Sequence, residues 1–119
     1  LEEGAERAGL EAIGEIRPFR DLPRPRPPGT EGHHLLERRF ARQFGVDPGD
    51  VPSVLLDRRY HQQEVTARLF GKLPTGRTYT PQDIWKAYVE VYGSGPGGLN
   101  RPDWLEAIWP YFERQGVVR

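Results

Sequence analysis

Five prolines between residues 17 and 30, in the stretch RPFRDLPRPRPPGT, constrain the fold more than any other feature of this sequence. Each proline fixes φ, lacks a backbone donor and disfavours helical geometry at the residue before it, so this stretch cannot form a helix. We predict an extended, polyproline-like connector that is either a linker or an arm lying along the domain surface. The main domain is expected to cover residues 29–119.

The segment before it, residues 1–28, is predicted to hold an N-terminal helix followed by the proline-rich linker. The helical pattern of residues 1–16 is weak, because Gly4, Gly9 and Gly14 each cost roughly 1 kcal/mol relative to alanine. The first residue is Leu1 rather than Met, which favours a piece of a longer protein.

Two short segments of the main domain have strand character. Residues 31–36 (EGHHLL) are short enough to be a strand or a loop that enters a helix. Residues 51–57 (VPSVLLD) combine β-branched and apolar residues and predict a strand that Pro52 keeps near a sheet edge.

Helical spacing of apolar residues accounts for most of the remaining chain. It predicts helices over residues 36–44, with Gly45 as a C-cap, and over residues 58–70. A third helix, PQDIWKAYVEVY, is expected to begin after Thr80 as N-cap, and a last helix starts at Asn100 or Asp103. The fold class is therefore predicted as α+β and mostly helical.

The basic residues are unevenly distributed although 17 Lys+Arg balance 17 Asp+Glu overall. Zero net charge argues against a protein that coats nucleic acid nonspecifically. Most of the basic residues are arginines, however, and the guanidinium group suits phosphate oxygens. Between residues 17 and 42 the arginines are Arg17, Arg20, Arg24, Arg26, Arg38, Arg39 and Arg42. Such a basic middle could hold a polyanion, and a solvated arginine surface is the alternative.

The chain has no cysteine, which excludes disulfides, thiolate zinc sites and a cysteine nucleophile. Any metal must be held by His, Asp, Glu, Asn or Gln, with water completing the shell. No apolar run approaches the length of a membrane span, and no signal peptide is visible.

Only three histidines occur, and two of them are adjacent. His33 and His34 lie in EGHHLL, and His61 lies in LLDRRYHQQEV. In an extended segment neighbouring side chains point to opposite faces, so His33 and His34 cannot both be core residues on one face. A neutral imidazole can take a proton from water, and imidazoles bind divalent metals, so the pair is a candidate for phosphodiester cleavage.

The sequence Gly32-His33-His34, followed by a short strand and a helix carrying His61-Gln62, resembles the HNH/endonuclease VII superfamily of ββα-metal (His-Me finger) nucleases. It is most similar to the GHH-type nuclease domains of bacterial polymorphic toxins, over roughly residues 29–72. The resemblance implies a small ββα-metal core, with additional C-terminal helices packed behind it. The middle Asn of the HNH motif is absent, since residues 35–60 contain no Asn.

The resemblance to this family also implies roles for the three histidines. His34 is expected to be the general base, while His33 and His61 are catalytic-site metal ligands for Mg, Mn, Ni or Zn. The third ligand is left open, with Asp57 as first choice and Glu31, Gln62 and Glu64 as further candidates. Nucleic-acid contacts are expected from Arg38, Arg39, Arg58 and Arg59.

The implied function is a metal-dependent endonuclease toxin that acts on DNA rather than RNA in the cytoplasm of a target cell, after delivery by a bacterium. A cognate immunity protein, acidic where it covers the arginines, would be its partner. One alternative is a metal-independent ribonuclease that uses two histidines as acid and base. Another is a non-enzymatic nucleic-acid or protein-binding module with a structural metal, which would unfold when the metal is removed.

Overall fold

The structure, a computed structural model, describes residues 14–119, so most of the predicted N-terminal helix lies outside the described residues. The chain divides into two compact units, Leu1–Arg58 and Arg59–Arg119, whereas the sequence placed a boundary between residues 28 and 29. The predicted α+β class is confirmed: a three-stranded antiparallel sheet is combined with four helices. None of the helices in residues 14–119 has the length and apolar character needed to cross a membrane.

The first unit contains the sheet, whose strands are β1 (Arg17–Pro18), β2 (Thr30–His34) and β3 (Pro52–Asp57). Their order is β1-β3-β2, and both neighbouring pairs are antiparallel. The two strands expected from the sequence are confirmed, and β1 is an addition from the proline-rich stretch. The register pairs Thr30 with Asp57 at one end of β2 and His34 with Ser53 at the other.

Strand β3 is the central strand, so the prediction that Pro52 keeps it near an edge was wrong. Pro52 is the first residue of β3, a position at which the missing backbone donor is tolerated. Its carbonyl oxygen still accepts a hydrogen bond from the Leu35 N–H at 2.9 Å. Its partner in β1 is Pro18, which also lacks a backbone N–H, so neither residue of this pair donates a hydrogen bond to the sheet.

The proline-rich stretch is an arm fixed to the first unit. A 3-10 turn at Phe19–Asp21 follows β1, and the Phe19 N–H donates to the Val51 carbonyl oxygen at 3.0 Å. Arg20 forms ion pairs with Asp47 at 3.0 Å and Asp50 at 2.7 Å. Leu22 is only 4% exposed, so the arm contributes to the buried part of this unit.

Helix α1 (Arg38–Gln43) lies between β2 and β3 and is shorter than the predicted 36–44. Gly45 ends it as expected, because its φ of +72° lies in the left-handed region that favours glycine. The neighbouring Val46 N–H donates to the Ala41 carbonyl oxygen at 2.8 Å, which satisfies a terminal helix acceptor. A 3-10 turn at Pro48–Asp50, capped by Asp47, leads into β3.

Helix α2 covers residues 58–72, and almost all of it belongs to the second unit. It contains a π-helical segment, His61–Thr66, between two α-helical segments. Val65 and Leu69 are its fully buried residues. The helix was predicted, but the π-helical segment was not.

The second unit is completed by α3 (Pro81–Tyr92) and α4 (Pro102–Arg114). Thr80 caps α3 as predicted, since its side-chain oxygen accepts a hydrogen bond from the Asp83 N–H at 3.1 Å. The buried side chains of α3 and α4 include several large aromatic groups, whose rings meet in tilted or edge-to-face arrangements: Trp85, Tyr88, Tyr92, Trp104 and Phe112.

Candidate functional site

The adjacent histidines lie at the end of β2, and the strand directs them to opposite faces of the sheet. His33 pairs with Val54 and is 4% exposed, whereas His34 pairs with Ser53 and is half-buried. The expectation that the two side chains have different environments follows from the period of two along a strand, and the structure agrees with it. Each histidine must therefore be considered separately.

The His34 ring is held from two sides. Phe19 from the arm stacks on it, with ring centroids 3.8 Å apart and planes inclined by 15°. The backbone of Pro48 is a second contact, and because proline has no N–H this hydrogen bond must run from the ring to the carbonyl oxygen. Nε2 is buried and has no hydrogen-bond partner among residues 14–119, so Nδ1 is the nitrogen that donates. This arrangement leaves an unshared electron pair on Nε2.

Several effects act on the protonation of His34. Together they lower its pKa from 6.5 to about 4: burial is the largest cause, the positive charges of Arg38 and Arg26 act in the same direction, and the Pro48 hydrogen bond opposes them. The imidazole is therefore neutral at neutral pH. A neutral ring can accept a proton, which is what a general base must do.

Gly32 has a packing role on the same face as His34. A Cβ atom at this position would lie 2.9 Å from Cε2 of Phe19 and 3.1 Å from Cδ1 of Leu22. Both distances are tighter than ordinary van der Waals contact, so the absence of a side chain allows the arm to lie against β2. The glycine of the Gly32-His33-His34 motif thus has a structural explanation in this chain.

Glu31 and Arg58 form an ion pair at 3.1 Å across the β2–β3 pair. Glu31 was expected to be a ligand or to orient His33, and Arg58 to contact phosphate. In the structure each has the other as a charged partner. Both lie at the end of the β2–β3 pair where the Arg58 N–H also donates to the Gly29 carbonyl oxygen at 2.8 Å.

The other predicted phosphate contacts differ in their surroundings. Arg39 is engaged locally, with Glu37 at 3.3 Å and its guanidinium 4.4 Å from the centre of the Phe40 ring. Arg38, the first residue of α1, is exposed. Arg59, in the second unit, is exposed as well. Of these residues, only Arg38 acts electrostatically on His34.

Asp57 is the last residue of β3 and is exposed. The argument that it shares a helical face with His61 required Asp57 to be inside the helix, but α2 begins at Arg58. The geometric reason for choosing it as the third metal ligand is therefore wrong. Its role as a ligand stays a prediction without that support.

His61 is the first residue of the π-helical segment of α2 and is half-buried. Segments of π-helix are uncommon and often occur at functional sites, which favours a role for His61 beyond packing. Of the two nearby candidates, Gln62 is exposed, and Glu64 forms an ion pair with Arg68 at 3.0 Å. Glu64 is therefore already engaged by a cation one helical turn away.

A metal site with three protein ligands is not formed by the described part of the chain. Over residues 14–119, no three His, Cys, Asp or Glu side chains are grouped so that they could hold an ion. A catalytic metal that keeps water and substrate oxygens in its shell needs fewer protein donors. The metal and its ligands His33 and His61 therefore stay predictions.

Comparisons with known proteins identify no relative of this chain. No family model matches it, and no match was found among curated proteins or among solved structures.

Three residues around His34 were not among the predicted site residues: Phe19, Arg26 and Pro48. Arg26 belongs to the arginine-rich stretch, but its place in a supposed linker gave no reason to select it. Phe19 and Pro48 contact His34 only because the arm and the α1–β3 connection fold over one face of β2. No local pattern in the sequence signals either contact.

Proposed function

We propose that this chain is an endonuclease domain that hydrolyses phosphodiester bonds, with DNA as the expected substrate and His34 as the general base. The observation that carries the proposal is the state of the His34 ring: Nδ1 donates to the Pro48 carbonyl oxygen, while Nε2 has no partner in the described part of the chain. A histidine that only supported the fold would be expected to satisfy both ring nitrogens.

The residues around His34 suit this chemistry. The Pro48 carbonyl oxygen holds the tautomer in which Nε2 can take a proton from an attacking water. Arg26 and Arg38 place positive charge near the ring, which favours a phosphate group there. Because Nε2 is buried, water reaches it only when the side chains around the ring, including Phe19, shift.

A divalent metal is part of the proposal, with His33 and His61 as its expected ligands. When bound, such an ion neutralises charge that develops on the phosphate oxygens. His33 suits a ligand role because it is a buried imidazole on the face opposite His34. His61 is supported separately, by its position at the start of the π-helical segment.

The biological setting is proposed from the resemblance to polymorphic toxins. In that setting a bacterium delivers the domain, the domain acts in the cytoplasm of the target cell, and a cognate immunity protein protects the producer. An acidic immunity surface would complement Arg26 and Arg38.

The proposal predicts that His34→Ala lowers the rate of plasmid cleavage by about 10²- to 10⁴-fold, the usual contribution of a general base. Supercoiled plasmid is incubated with the wild type and the variant in the presence of Mg²⁺ or Mn²⁺, and nicked product is quantified over time. Circular dichroism and thermal unfolding establish that the variant is folded.

Ser53→Ala is the matched control, since Ser53 is the cross-strand partner of His34 and is fully buried. It changes the same part of the sheet without removing the base, so its cleavage rate should stay near that of the wild type. Equal loss in both variants would mean that the sheet, and not the imidazole, is required. Cleavage of RNA that survives EDTA would instead favour the metal-independent ribonuclease.

A further inference from the structure

Arg26 is a charged residue of the arm that lies near the face of β2 bearing His34. Its Nη1 donates to the carbonyl oxygens of Leu22 at 3.3 Å and Pro23 at 2.7 Å. Its guanidinium lies 5.3 Å from the centre of the Phe19 ring, which in turn stacks on His34. Nη2 lies 3.4 Å from the position that a Cβ on Gly32 would take. The arm therefore holds this guanidinium in one place.

The charge of Arg26 is not balanced by a carboxylate among residues 14–119. Four other arginines of the same unit are balanced: Arg17 by Glu15, Arg20 by Asp47 and Asp50, Arg39 by Glu37, and Arg58 by Glu31. Arg26 is also half-buried, whereas unpaired arginines are usually exposed to water. A half-buried guanidinium that meets no carboxylate within residues 14–119 would be stabilised by an anionic ligand.

A second cation without a carboxylate partner lies near the same histidine. Arg38 is exposed, forms no ion pair within the described residues and acts electrostatically on His34, as Arg26 does. The two arginines come from different elements, the arm and helix α1, so sequence proximity does not explain their common effect. Both cations therefore make the potential around the His34 ring more positive, which favours an anion there.

We propose that Arg26, together with Arg38, forms a phosphate-binding site beside His34, which makes the proline-rich arm part of the substrate-binding surface. The ligand is a phosphate group of a nucleic-acid backbone, from either DNA or RNA. The inference rests on the proposed function for its substrate class. It goes further in assigning the binding residue to a segment that the sequence indicated as a linker.

The test measures binding without cleavage. Every protein carries His34→Ala, and its affinity for labelled duplex DNA and for single-stranded RNA is measured by fluorescence anisotropy between 50 and 200 mM salt, concentrations at which phosphate contacts are strongly screened. Adding Arg26→Ala should raise Kd about tenfold, because a hydrogen bond to a charged group is lost. It should also reduce the slope of log K against log salt by about 1.

Arg24→Ala is the matched control. Arg24 lies in the same arm, two residues away, and is exposed, so its removal should change Kd by less than about twofold. An equal effect of both substitutions would indicate a diffuse contribution of the arm's charge and would overturn the assignment to Arg26.

Two further variants separate binding from support of the arm, since Arg26 also donates to Leu22 and Pro23. Arg26→Lys keeps the charge, and Arg26→Gln keeps an N–H donor without charge. If Arg26 binds phosphate, the Arg26→Lys variant retains the slope of log K against log salt, and the Arg26→Gln variant loses the contribution of Arg26 to that slope. If Lys and Gln have the same affinity and slope, Arg26 has only a structural role and the inference is wrong.

Failure of this inference can be told apart from failure of the proposed function. If the parent protein, which carries only His34→Ala, binds neither DNA nor RNA, the substrate class is wrong and both proposals fail. If the parent binds but the Arg26→Gln protein binds equally well, only the inference about Arg26 falls. If His34→Ala still cleaves plasmid, the general base is wrong, and the comparison of Arg26 with Arg24 is then made in EDTA, in which the proposed metal-dependent cleavage stops.

Discussion

At the scale of single residues, the behaviour of His34 depends on how its ring is held. Phe19 covers one side of the imidazole, the Pro48 carbonyl oxygen accepts a hydrogen bond from Nδ1, and Nε2 has no partner among residues 14–119. His33, one residue earlier, is almost completely buried on the other face. Two chemically identical side chains thus have different environments because a strand alternates its faces.

The lowered pKa of His34 predicts a pH dependence of the free energy of unfolding. In the unfolded chain the imidazole takes up a proton near pH 6.5, whereas in the folded state it does so only near pH 4. Between these values the unfolded state binds more protons, so stability is complete above pH 6.5 and is lost as the pH falls to about 4. The loss is at most about 3 kcal/mol, and smaller because the ring is partly exposed.

Urea denaturation at several pH values between 4 and 7 measures this effect. The difference between the wild type and His34→Phe isolates it, because carboxylates that titrate near pH 4 are common to both proteins. A constant difference across this range would show that the fold does not disfavour the charged ring.

At the scale of elements, hydrophobic and turn patterns predicted β2, β3 and the helices, since these depend on local sequence. The edge strand β1 was not predictable, because its two residues Arg17–Pro18 have no strand pattern and are fixed by pairing with Ser53 and Pro52. The sequence placed β3 near an edge because of Pro52, and the unpredicted β1 is what makes β3 central. The contacts of His34 with Phe19 and Pro48 likewise come from tertiary folding, so the sequence identified the histidine without its surroundings.

The π-helical segment of α2 was likewise not predictable from the spacing of apolar residues in the sequence. Val65 and Leu69 are four residues apart, a spacing that an ordinary α-helix shares. The segment matters because it sets the direction of His61 relative to these buried side chains.

Deleting Gln63, an exposed residue between His61 and Val65, tests this element. One residue fewer rotates His61 by about 100° relative to Val65 and Leu69 if the segment becomes α-helical. We expect cooperative unfolding to be retained and plasmid cleavage to fall by at least about tenfold. Replacing Gln63 by Ala keeps the chain length and should leave cleavage unchanged. Full activity of the deletion variant would argue against a role for the position of His61.

At the scale of the whole molecule, removal of divalent metal separates a catalytic ion from a structural one. The described residues contain no three-ligand metal group, and each unit has its own set of buried apolar side chains. We therefore expect EDTA to abolish plasmid cleavage while changing Tm by less than about 2 °C. A structural metal would instead contribute its binding free energy to folding, and its removal would lower Tm by much more.

The contact between Gly32 and the arm has a consequence for how sequences of this kind vary. Position 32 has no space for a Cβ because Phe19 and Leu22 lie against it. In a natural variant with alanine at position 32, we therefore expect a smaller side chain at position 19 or 22. Position 32 would then vary together with position 19 or 22, which lie 13 and 10 residues earlier in the chain. A motif limited to Gly32-His33-His34 does not include these two positions of the arm.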